Sequence, residues 1–210
     1  MVNIDLHVHT AFGSPCAELH KPASIPETMK KKHIHGIVIT EHNTMWPAKN
    51  IEELNLRLPL NYRVYSGIEV STSHHHVVVI GLDDPSDIFP GISLEKLLAI
   101  SKRNNAVAIL VHPFSGVRKF FSDPFPDFDG IEVASTMTCG EAQQKTYDLC
   151  MINNAIPVAG SDAHCRQNVG KAFTAFPFLP RNEKQLAEQI KKGLGLPMVT
   201  ALEGKGVRVC

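Results

Sequence analysis

Asp5-Leu6-His7-Val8-His9-Thr10 ends a short apolar stretch that begins at Val2. Val2 to Val8 has the make-up of a β-strand, in which side chains two apart point the same way. His7 and His9 therefore project together, two imidazoles aimed at a common point. Far along the chain, Gly160-Ser161-Asp162-Ala163-His164 follows the apolar strand Ile156 to Gly160 and offers a carboxylate and an imidazole at the same spacing. The two pairs look like two walls of a metal site.

The segments between them alternate. Ser24-Ile25-Pro26-Glu27 has Ser and Glu in capping-box register and opens a helix to about Ile34, ended by Gly36. Gly36 to Thr40 is a short apolar strand of the kind buried in parallel sheets. A polar helix follows Pro47 to about Leu58. Tyr62 to Ile68 and His76 to Gly81 are strands, the second entered through His74-His75, which read as turn residues. Ser93 caps a helix to about Asn104, and Ala106 to Val111 is a strand that stops at His112-Pro113. Gly130 to Val133 is a strand, a helix spans about Gly140 to Asn153, and Asn182 caps a last helix from Glu183 to Lys192. Strands alternating with helices predict a parallel α/β arrangement. No linker or second hydrophobic unit interrupts it, so residues 1–210 are expected to form one domain.

His42, Glu69, His112, Glu132 and Asp162 each fall at or just past the C-terminal end of an apolar strand, the end that carries the active site in barrels of parallel strands. Any one of them alone would pass as a loop or strand-end residue; together they point to a metal centre. Imidazole nitrogen and carboxylate oxygen suit zinc, manganese and iron(II) alike. The number of ligands points to a cluster of two or more divalent ions, and closely spaced ions suit hydrolysis of a phosphate ester.

The 21 Lys and Arg balance 21 Asp and Glu, which argues against general binding of long nucleic acid or of an acidic membrane surface. Histidine is plentiful, at 11 residues, as a metal centre would require. The five cysteines form no C-x-x-C motif, and no apolar run reads as a signal peptide or membrane span, so a cytoplasmic protein is the default expectation. There is no G-x-x-x-x-G-K-[ST] phosphate loop, no G-x-S-x-G elbow and no H-E-x-x-H helix. A bound phosphate would have to be held by metals and basic side chains, Arg166 first and Arg118 and Lys119 next.

These residues resemble the PHP (polymerase and histidinol phosphatase) superfamily. The likeness runs from the opening H-x-H through Thr40-Glu41-His42-Asn43, Gly67-Ile68-Glu69, His76 with the apolar strand after it, and His112-Pro113, to Gly160-Ser161-Asp162-Ala163-His164. Glu41 stands where Asp is usual. The resemblance implies a distorted (β/α)7 barrel of mostly parallel strands with a trinuclear metal site at its C-terminal mouth. It places His7, His9, Glu69 and Asp162 on the first ion, has Glu69 bridge to a second held by His76 and His112, and gives His42 and His164 to the third. The family's further third-ion ligand would fall near Gly13 to Glu18, where Cys16, Glu18 and His20 are within reach.

The expected function is a cytoplasmic metal-dependent phosphoesterase acting on a small phosphate monoester, nucleotide or histidinol-phosphate-like, through a metal-activated hydroxide, with Arg166 neutralising developing charge. Two rivals are a nuclease or cyclic phosphodiesterase on short nucleic acids, and a non-catalytic, metal-stabilised PHP module.

Overall fold

Side-chain parity along the strands decides how the chain is layered. The computed structural model describes residues 1–17, 20–115, 124–138 and 140–200. Glu18, Arg118 and Lys119 lie outside the described residues. Those residues contain nine strands: β1 (Val2–Val8), β2 (Gly36–Ile39), β3 (Arg63–Ser71), β4 (His76–Ile80), β5 (Val107–Leu110), β6 (Gly130–Ala134), β7 (Ile156–Ala159), β8 (Ala172–Phe176) and β9 (Leu196–Val199). The α-helices are α1 (Ile25–Lys32), α2 (Ala48–Asn55), α3 (Leu94–Arg103), α4 (Glu141–Ile152) and α5 (Glu183–Lys191).

The strands form one sheet in the order β7-β6-β5-β4-β3-β2-β1-β8-β9. β4 and β8 run antiparallel to both neighbours, and the other strands share one direction. The sheet nearly closes on itself. At the seam Ala159 of β7 donates its N–H to the Thr174 hydroxyl of β8, which donates back to Ala159 O, both at 2.9 Å. Ala134, Ala159 and Ala172 pack there with Val199, small enough to let the ends approach. The result is the expected distorted α/β barrel. β8 and β9 were not anticipated from the sequence: Ala172-Phe-Thr-Ala-Phe is short with two alanines among its five residues, and β9 contains Pro197.

Along β3, Tyr65 and Glu69 face the barrel interior, while Val64, Ile68 and Val70 face the helices. Interior Ile4, Val38, Tyr65, Val78, Ile109 and Phe176 rest on Leu186, Ala187 and Ile190 of α5, which floors the barrel at the end away from the histidines. Burial on both strand faces explains why the strands read as continuous apolar runs. Outside, α1 and α2 cover one flank with Met29 and Ile51, and α3 and α4 the other with Leu97 and Cys150.

Ser93 and Asn182 cap α3 and α5 as predicted, accepting from Lys96 N–H and Gln185 N–H. Ser24 does not cap α1. A 3₁₀ turn, Pro22–Ser24, already precedes the helix, and the Ser24 hydroxyl donates to Lys21 O at 2.7 Å instead. α1 stops before Gly36 because His33 takes a left-handed φ of 54°.

Candidate metal centre

The opening strand contains an irregularity that aims its histidines. Asp5 pairs with Ile37 and Val8 with Ile39, so three residues of β1 span what two of β2 span. Such a bulge reverses side-chain parity. Asp5 therefore faces outward with Ile37, while His7 and His9 turn inward, opposite Val8. Asp5 ties down the far loop: its carboxylate accepts from Ser161 N–H (2.8 Å), the Ser161 hydroxyl (2.6 Å) and Gly170 N–H (2.8 Å). That loop carries Asp162 and His164, so one carboxylate positions both walls of the centre.

The eight residues expected as ligands come together at one end of the barrel. His7 and His9 rise from β1, His42 follows β2, Glu69 is on β3, and His76 begins β4, which runs back down. His112 follows β5, and Asp162 and His164 follow β7. His112 and Asp162 hold positive φ, 32° and 53°, a backbone strain typical of functional positions. His7 Nε2 lies 3.0 Å from His9 Nε2. Asp162 Oδ1 is 3.5 and 3.3 Å from the same two atoms, and Glu69 Oε2 is 3.4 Å from His9 Nε2. Glu69 Oε1 meets His76 Nδ1 at 2.9 Å and His112 Nε2 at 3.1 Å, and Oε2 meets His42 Nδ1 at 2.7 Å. His164 stacks on His9 and His42 meets it at a tilt, each with ring centroids 4.3 Å apart.

Four overlapping triads have ligand atoms close enough to share an ion: His7/His9/Glu69, His7/His112/Asp162, Glu69/His76/His112 and His9/His42/His164. The donor chemistry fits a cation. His7 Nδ1–H donates to Glu132 Oε1 at 2.9 Å, leaving Nε2 as its lone-pair end. His9 Nδ1 is 3.1 Å from Ser14 Oγ, whose hydroxyl donates to Glu41, so its Nε2 is a lone-pair end too. With both Nδ1 atoms engaged, the two Nε2 atoms face each other at 3.0 Å, so a cation belongs between them, either a proton carried by His7 or a metal ion. Ligand atoms about 2.1 Å from one ion stand about 3.0–3.5 Å apart, the spacing seen here.

The electrostatics agree. Burial alone would raise the Glu69 carboxyl, but His112, His42, His7 and His76 hold it well below the usual range. Burial opposes ionisation of Asp162 as well, yet His7 and His9 bring it down to about 2. Burial disfavours a charged His7, but Glu132 and Asp162 outweigh that and hold it well above its ordinary value. His9 is pushed down to about 4 by burial. Anionic carboxylates thus face imidazoles that cannot all be protonated. Side-chain exposure is 1 % or less for His7, His9 and Glu69, but 30 %, 31 % and 32 % for His42, His76 and His164. The first three form a floor and the last three an open face.

Other candidates fall elsewhere. Arg166 is exposed and lines a cavity of about 230 Å³ with Thr28, Lys31 and Lys32, beside α1. Cys16 is exposed and stands in none of the four triads among the described residues. His20 is buried and donates from Nδ1 to His9 O at 2.6 Å, steadying the strand end. His75, expected at a turn surface, is buried at 4 % exposure.

Two residues do more than their sequence suggests. Glu132, which shares the strand-end pattern, orients His7; its inward parity between outward Ile131 and Val133 is the one signal for this. Glu41 turns away from the cluster and accepts from the Thr10 hydroxyl, the Ser14 hydroxyl and the Trp46 indole.

Residues 140–194 match the PHP-associated family. The uncharacterised protein MJ1587 of Methanocaldococcus jannaschii is 30 % identical over 139 residues, 61 % of this chain and 79 % of that one. Among solved structures, a two-domain protein of Bacteroides vulgatus containing a predicted PHP-like metal-dependent phosphoesterase superposes with a TM-score of 0.70 at 16 % identity, over 94 % of this chain and 64 % of that one. The lesion-specific endonuclease EndoQ of Pyrococcus furiosus gives 0.67 at 16 % identity, over 94 % and 57 %. The chain thus spans somewhat more than half of the endonuclease and shares its fold. With a PHP-associated match in residues 140–194, the chain has the barrel fold of PHP-like metal-dependent phosphoesterases.

Proposed function

We propose that the chain is a metal-dependent phosphoesterase that hydrolyses a small phosphate monoester, nucleotide or histidinol-phosphate-like, at this centre. The observation that carries the reading is the convergence of His7 Nε2 and His9 Nε2, 3.0 Å apart, on two buried carboxylates. His7, His9, His42, Glu69, His76, His112, Asp162 and His164 would hold two or three divalent ions, zinc, manganese or iron(II). Such ions would neutralise phosphoryl oxygens and lower the pKa of water at neutral pH.

The protein's own part is positioning. Glu132 and Ser14 fix the two floor imidazoles through their Nδ1 atoms, and Ser115 Oγ does the same for His112 Nδ1 at 3.0 Å. The ester enters over His42, His76 and His164, because the floor is closed to solvent. Arg166, two residues past His164 but lining the cavity beside α1, would have to turn towards the centre to neutralise developing charge. Alanine at His7 or Asp162 is expected to abolish turnover of a generic phosphate ester. Near-normal rates in such a variant supplied with manganese or zinc would end the proposal.

The likeness to an endonuclease favours one second reading, action on short nucleic acids. Rates on mononucleotides and on single-stranded oligonucleotides separate the two, and the zero net charge favours the former.

A further inference from the structure

The loop just past His9 carries an aromatic ring that the metal centre does not use. Phe12 is 55 % exposed, yet its place is fixed. Its N–H donates to Thr10 Oγ1 at 3.2 Å, and that hydroxyl donates to Glu41 Oε1 at 2.5 Å. The Trp46 indole N–H donates to the same oxygen at 2.8 Å, and its ring meets that of Phe12 with centroids 4.8 Å apart. The Ser14 hydroxyl takes the other oxygen, Oε2, and faces His9. Between them, Gly13 lies so close to Glu41 that a Cβ would stand 2.8 Å from its Cγ. One buried carboxylate therefore locks the loop after β1, the loop after β2 and a metal-facing histidine into a single unit.

An exposed aromatic ring normally belongs to a mobile surface side chain. This one is braced from behind by Trp46 and lies three residues from His9, against the loop that brings His42 to the open face of the centre. A rigid ring three residues from His9, in the loop that leads out of the proposed phosphate-handling site, suits stacking, which is tolerant of ring identity because every flat aromatic has a π-face. We propose that Phe12 is a stacking platform for a planar ring on the substrate, so that the site favours phosphate esters bearing a nucleobase-sized aromatic group over aliphatic ones. The proposal rests on the phosphoesterase reading for its chemistry, but its binding step is measurable without turnover.

Trp46, the single tryptophan, is a built-in reporter beside Phe12. Its fluorescence in manganese-loaded protein is titrated with adenosine 5′-monophosphate and with ribose 5-phosphate. Saturable quenching by the nucleotide alone is expected. F12A should weaken that binding by about 5- to 150-fold, the range for loss of one base stack, and F12Y should retain it. In turnover, F12A should shrink the preference for the nucleotide over the sugar phosphate by a similar factor, chiefly through KM. A wild-type protein that the nucleotide does not quench, or an F12A variant with unchanged nucleotide affinity, overturns the platform. If neither ester is hydrolysed while quenching remains dependent on Phe12, the phosphoesterase reading fails and the platform stands.

Discussion

Replacing Glu132 with Gln tests how far the centre depends on a residue that touches no ion in the proposed arrangement. Glu132 Oε1 accepts from His7 Nδ1 at 2.9 Å, and both side chains are at most 2 % exposed. Glutamine keeps the shape and an accepting oxygen but removes the charge, turning a charge-assisted hydrogen bond into a neutral one of roughly half the strength. Carboxylates behind a ligating histidine are worth about 10- to 100-fold in metal affinity, or about 1.4–2.7 kcal/mol. The metal-free protein should respond less strongly. Charged His7 loses its carboxylate partner there too, and an amide group has no acceptor at the buried Oε2 position, so metal-free stability should fall, but by less than the metal affinity. Competition with a chromogenic chelator measures the affinity, and thermal denaturation without metal measures the stability. Affinity within twofold of wild type would refute the positioning role. So would a loss of affinity that merely tracks a lower metal-free melting temperature.

Three further predictions follow from the same geometry. In G160A the new Cβ would stand 2.6 Å from His7 Cβ and 2.8 Å from His7 N, so β1 must shift, and metal affinity measured by calorimetry should fall further than in E132Q. E41A leaves the Thr10, Ser14 and Trp46 donors without their shared acceptor. It should cost about 2–4 kcal/mol, lowering the melting temperature by roughly 5–15 °C in a domain of this size. Burial pushes the Cys150 thiol up to about 11, and its Sγ donates to Ala155 O at 3.0 Å. Because the folded state holds that proton above the ordinary thiol range, this contribution to stability is complete below about pH 9 and is lost as pH rises towards 11. Mass-spectrometric alkylation at pH 8.5 should find Cys16 modified and Cys150 protected until the protein is unfolded.

Element type was largely legible because the strands are buried on both faces and the helices carry their own stop signals. Ser93 and Asn182 cap their helices as their local sequence implies. β8 was not legible: Ala172 to Phe176 is held by pairing with β1 and β9 and by the Thr174 hydroxyl, partners that lie far away in the chain. Ser24 shows the converse, a capping-box sequence whose cap is pre-empted by a turn that its motif does not encode.

The candidate metal centre divides along the same line. Residue type and position at strand ends singled out His7, His9, His42, Glu69, His112, Glu132, Asp162 and His164, because ligand chemistry is a property of the side chain and strand direction fixes which end it occupies; His76, at the start of its strand, was added only by the family resemblance. What aims them is tertiary. The bulge that turns His7 and His9 inward exists only against β2. The Glu132–His7 pair joins residues 125 apart in the chain, and the Asp5–Ser161 pair residues 156 apart. A sequence can supply imidazoles and carboxylates, but the direction of a lone pair is decided by whichever group holds the other ring nitrogen, and only the closed barrel brings that group into place.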